Sequence, residues 1–129
     1  MEEVTLAVPE PIVDSLPEDS HTAEQDMRKA VEGWEQRINR AIRDADDESE
    51  AAGYVLDATE LLEERLETYD DFVPELRAWG QSPIYAIAWR NLMADLIGQL
   101  HEHEDLAERL DRERHARMVE DGIRLRDLE

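Results

Sequence analysis

The chain has 129 residues, 34 acidic and 14 basic, for a net charge of −20, and Lys29 is its only lysine. That length makes one domain with room for a real core. The absence of cysteine excludes disulfides and thiolate metal sites, no apolar run nears the ~20 residues of a membrane span, and direct nucleic-acid binding is not expected of so acidic a surface.

Few β-branched residues and abundant Leu, Ala, Glu and Arg predict an all-α fold. The expected architecture is a small helical bundle, a helical hairpin plus one long C-terminal helix, preceded by an extended N-terminal arm. The arm covers residues 1–20, with three prolines, six acids and no base. Val4, Leu6 and Val8 alternate with Thr5 and Ala7, a strand-like pattern, and Pro9, Pro11 and Pro17 favour an extended path. Such a segment cannot build its own core, so Val4, Leu6, Val8 and Ile12 are candidate interface residues that lie on another surface.

The bundle domain spans 21–122. Its first helix is expected near Thr22, where Thr22 and Gln25 fit a capping box. Met27, Val31, Trp34, Ile38, Ala41 and Ala45 then recur at threes and fours, an apolar stripe on one helix face. The break falls in 44–49, where Asp46, Asp47 and Ser49 are candidate N-caps. The second helix carries Ala52, Val55, Thr59, Leu62, Leu66 and Tyr69, and is expected to end around Tyr69–Phe72, before Pro74. Residues 27–43 sum to +3 and residues 44–76 to −12, so an antiparallel hairpin sets a basic helix beside an acidic one.

Gly80 closes a short turn, and Ser82-Pro83 is a helix start signal. The last helix is expected over 83–121, about 58 Å at 1.5 Å per residue. A compact domain of this size is only about 36 Å across, so this helix bends, breaks near Gly98 or projects. From Ile84 to Leu100 it is apolar nearly all round, which predicts burial on all sides. Trp89, Leu96, Leu100, His103 and Leu110 join the candidate interface. Beyond Leu100 a narrow seam of His103, Leu106, Ala107, Leu110 and Met118 suits a two-helix contact. Residues 123–129 form a tail that can dock as a short extended segment.

The candidate metal or acid–base residues are His101, Glu104, Glu108 and His115, which share a helix face. Di-metal bundles need Glu-x-x-His on two helices, and no two helices carry it here, so no metal or other cofactor is expected. Trp34, Trp79 and Trp89 are expected to be core or interface anchors. The serines occupy cap and turn positions, and no glycine-rich phosphate loop occurs, so no catalytic residue is expected.

In composition the whole chain resembles proteins of halophilic archaea and their viruses. That resemblance implies a surface adapted to molar salt, where charge repulsion is screened within a few Å. The leading expectation is a non-enzymatic structural or assembly subunit of a homo-oligomer or larger complex, in a high-salt cytoplasm or a virion, for instance a head–tail connector or capsid-associated protein. The alternatives are a His/carboxylate metal-binding bundle and a small helical adaptor or regulator. MEEVTLAVPEP lacks the positive start and apolar core of a signal peptide, so secretion is not expected.

Overall fold

A computed structural model describes residues 3–102, 111–112 and 114–119. Within them the chain is all-α, as expected, with no strand. The elements are α1 (Glu10–Asp14), α2 (His21–Asp44), α3 (Glu48–Ala78) and α4 (Ile84–Glu102).

The α2 stripe of Met27, Val31, Trp34 and Ile38 is buried, and Ile42 rather than Ala41 extends it. α2 begins at His21, so Thr22 lies inside it and cannot cap it; Ser20 holds the cap position but its hydroxyl bonds the Tyr85 hydroxyl instead, at 3.0 Å. Asp47 caps α3 by accepting from the Glu50 amide at 2.8 Å. Ala52, Val55, Thr59 and Leu62 face the core.

α3 does not stop before Pro74; it runs through the proline to Ala78. Pro74 removes one helical N–H and crowds the carbonyl of Asp70, but Tyr69 and Val73 keep this part of α3 anchored to the body. Val73 is buried, and Tyr69 stacks on Trp89 of α4 with ring centroids 6.0 Å apart. The helix ends in a Schellman motif: the Gly80 amide donates to Arg77 O at 3.1 Å and the Gln81 amide to Leu76 O at 2.9 Å. Gly80 has φ +73, which explains a glycine there.

Neighbouring helices run antiparallel. The Arg90–Asp70 pair at 3.0 Å and the Trp89–Tyr69 stack set the register of α4 on α3, where packing is most extensive. α2 also packs on α3, and the guanidinium groups of Arg37 and Arg65 both lie over the Trp34 ring. α2 and α4 hardly meet directly.

The arm lies between them. Val4, Leu6, Val8 and Ile12 are buried in the same core as α2, α3 and α4, while Thr5 and Ala7 stay exposed. The strand-like alternation is therefore realised without a partner strand: side chains replace the ladder. Asn39 accepts from the Val4 amide at 2.7 Å and donates to its carbonyl at 2.9 Å. Glu35 accepts from the Leu6 amide at 2.9 Å. Gln99 accepts from the Ala7 amide at 3.0 Å and donates to its carbonyl at 2.8 Å. Arg43–Glu3 at 3.3 Å and Arg28–Glu10 at 3.7 Å flank the run and set the arm antiparallel to α2. The proline-enforced extension ends at Pro9, since Pro11 falls in the first turn of α1, where its missing N–H is harmless. Arm and bundle share one core.

The expected burial of Ile84–Leu100 on all sides is corrected. Ala86, Ala88, Leu92, Met93, Leu96 and Leu100 are buried, but Ile84, Ile87 and Ile97 are half-buried and Tyr85 is exposed. One flank meets α3, another meets the arm, and the remainder is uncovered. α4 passes Gly98 without breaking. Further on, Arg114 pairs with Glu63 at 3.1 Å, and Arg117 with Asp57 at 2.9 Å and Glu60 at 3.3 Å. On the register of Arg90 and Asp70, a straight continuation would carry residue 117 about 22 Å past Glu102, beyond the start of α3. The two described stretches are therefore not collinear.

Candidate functional site at the α3–α4 turn

Because α3 continues through Pro74, Phe72, Leu76 and Trp79 fall at i, i+4 and i+7 on one stripe. The stripe sits to one side of the buried line of Tyr69 and Val73. Phe72 is 44% exposed and Trp79, at the helix cap, is 68% exposed. Across the short turn, Pro83, Ile84 and Ile87 are half-buried and Tyr85 is 44% exposed. Residues 77–100 contain one acid and two bases, so the turn and α4 are poor in charge here, while Asp70, Asp71 and Glu75 flank Phe72 on the α3 side. The apolar side chains at this turn are aromatic and aliphatic; what they offer a ligand is burial, with Arg77 and the tyrosine hydroxyl at the edge. Several exposed aromatic side chains at one end of a small, highly charged protein mark a candidate interaction surface.

The residues expected to meet a partner are placed differently. Val4, Leu6, Val8, Ile12, Leu96 and Leu100 are buried in the chain's own core and are unavailable to a neighbour. The reason is the groove left between α2 and α4, which the arm fills. Trp89 is half-buried against Tyr69. His103 and Leu110 lie outside the described residues. The three tryptophans occupy three environments: Trp34 buried, Trp89 half-buried, Trp79 exposed.

Of the candidate metal residues, His101 is half-buried in the last turn of α4 and His115 is exposed. Glu104 and Glu108 fall outside the described residues, as does the tail 123–129. Among the described residues no three histidine or acidic side chains are grouped to hold a metal ion. No described helix is long and apolar enough to cross a membrane.

Among the described residues, two groups are shifted from their ordinary values. The Tyr54 hydroxyl donates to Glu50, and this bond to a carboxylate pushes the phenol pKa up. Arg28 is held above its usual value first by its hydrogen bond to Glu24. Spectrophotometric titration of the Glu50→Gln variant should lower the highest tyrosine transition; an unchanged curve would show that the Tyr54–Glu50 contact is not made in solution.

A family model matches residues 1–127. The chain belongs to DUF7971, a family of unknown function. The match takes in the arm as well as the helices, so the arm is part of what defines a DUF7971 chain. No curated protein and no solved structure matches this one.

Proposed function

We propose that this DUF7971 protein is a non-enzymatic assembly subunit that associates with further copies of itself through the α3–α4 turn. The observation that carries this reading is Trp79, a large aromatic 68% exposed at the start of the charge-poorest stretch, with the exposed Phe72 earlier on the same helix stripe and the half-buried Ile84 and Ile87 across the turn. Two bodies of net charge −20 repel wherever carboxylates face one another. The α3–α4 turn and the start of α4 offer apolar surface with little charge. Exposed tryptophans at such positions are the common anchors of protein interfaces. The lysine-poor, acid-rich surface fits a salt-adapted cell or its virus, and a virion component is one concrete form of the subunit.

Light scattering in about 3 M KCl, where screening acts within about 3 Å, should give a mass of at least two chains. Dilution to about 0.1 M KCl should weaken the complex, because the screening length grows to about 10 Å. Trp79→Glu should leave the helical spectrum unchanged and weaken association by about 30-fold or more. A wild-type chain that stays monomeric at about 1 mM in high salt would rule the reading out.

A further inference from the structure

Among the described residues, five arginines pair with carboxylates. Arg28 meets Glu24 and Glu10, Arg43 meets Glu3, Arg90 meets Asp70, Arg114 meets Glu63, and Arg117 meets Asp57 and Glu60. Arg37, Arg40, Arg65 and Arg77 depart from this pattern: none of them forms an ion pair with a described residue. In a chain with 34 acids, guanidinium groups left without a carboxylate are unexpected.

The placement of the first three is specific. The guanidinium carbons of Arg37 and Arg65 both lie 5.5 Å from the centroid of the Trp34 ring, which orients them. Arg40 is three residues beyond Arg37, so two like charges share one helix face, an arrangement that is unfavourable without a counter-charge. Arg37 and Arg40 line an open cleft of about 490 Å³ along α2, with Tyr54 of α3 at its far side. Gly33 lies at one end of the cleft, and a side chain added there would meet nothing within 4 Å. Glu50, Asp46 and Asp44 all lie near enough to Tyr54 to raise its pKa, so the Tyr54 side of the cleft is acidic. Glu50 accepts from the Tyr54 hydroxyl. Asp44 lines the same cleft four residues after Arg40 but forms no ion pair with it, and base-before-acid is the weaker order along a helix.

We propose that this cleft binds a phosphate group, with Arg37 and Arg40 as its ligands. Each guanidinium can present two parallel N–H donors to two phosphate oxygens. With Asp44 in the lining the cleft keeps a formal charge of +1 from Arg37 and Arg40, opposite in sign to the charge of about −1.5 to −2 that a phosphomonoester carries at neutral pH. Such contacts depend on direct hydrogen bonds, and they survive the salt that screens longer-range attraction. The cleft volume suits a small ligand, and the surrounding acidic surface disfavours an extended polyanion. This inference does not rest on self-association.

The test is calorimetric titration of the full chain with inorganic phosphate and, separately, with O-phosphoserine, in about 2 M KCl. Saturable one-site binding of either probe supports the proposal. Binding of phosphate alone identifies a free-ion site, and tighter binding of phosphoserine identifies a site for an organic monoester. Arg37→Gln and Arg40→Gln should each weaken binding about tenfold or more. Arg40→Lys, which keeps the charge and loses the fork, should weaken it too. Arg77→Gln, exposed and outside the cleft, should bind as the wild type does. No binding by the wild type at about 10 mM probe, or equal losses for Arg77→Gln and Arg40→Gln, would overturn the proposal.

Discussion

Deleting residues 1–9 should unfold the helical body. Val4, Leu6 and Val8 are at most 8% exposed, and all three belong to the core shared by α2, α3 and α4. Burying one such side chain stabilises by about 1.5–3 kcal/mol. Three together approach the roughly 5–15 kcal/mol that holds a whole domain. The deletion also uncovers the inner faces of α2 and α4, which hardly touch each other and cannot close the gap without rearranging. Circular dichroism should show that the cooperative thermal transition of the full chain is lost or moved far down. A truncated chain that melts like the full one would show that the arm is a dispensable tail.

Asn39→Leu should cost about 2–4 kcal/mol, more than other single polar substitutions in the bundle. Asn39 serves both backbone groups of Val4, and both residues are buried. A leucine of similar size removes the amide and leaves a buried N–H and a buried carbonyl unpaired, which is the expensive case. For a domain of this size the melting temperature should fall by about 10 °C. Gln99→Leu removes the matching clamp on Ala7, but that pair is exposed and water can replace it, so the loss should stay below about 1 kcal/mol. Asn39→Asp adds a pH dependence. Its carboxylate can accept from the Val4 amide but faces the Val4 carbonyl as a second acceptor, so the folded state favours the protonated acid and raises its pKa. The stability it contributes is present below the unfolded value of about 3.9 and is lost as pH rises through the folded one. Equal melting of Asn39→Leu and Gln99→Leu would show that burial of the Asn39 clamp does not matter.

Much of the helical body was legible before any coordinates. The stripe from Met27 to Ile38 and the run from Ala52 to Leu62 are periodic over several turns, and long periodicity is a robust signal. Asp47, Gly80 and Ser82-Pro83 marked ends because their chemistry is local. Pro74 misled because its penalty is also local, whereas what holds α3 together there is tertiary: Val73 in the core and Tyr69 on Trp89. Reading the helix as ended hid the spacing of Phe72, Leu76 and Trp79. The arm's alternation was visible, but not its destination, because Asn39, Glu35 and Gln99 look like ordinary polar surface residues in sequence. Nor does sequence show that Arg37 and Arg40 lack partners, since acids are plentiful at every spacing.

The clamp between Ala7 and Gln99 has a consequence for synthesis. Ala7 is made 92 residues before its partner, a delay of roughly 5–20 s at the usual pace of translation. During that interval Val4, Leu6 and Val8 have no groove to enter, because one wall of it is not yet made. Apolar residues made well before α4 are thus among the last to be buried. The arm's six acids keep that waiting segment charged, and so in solution, until α4 arrives.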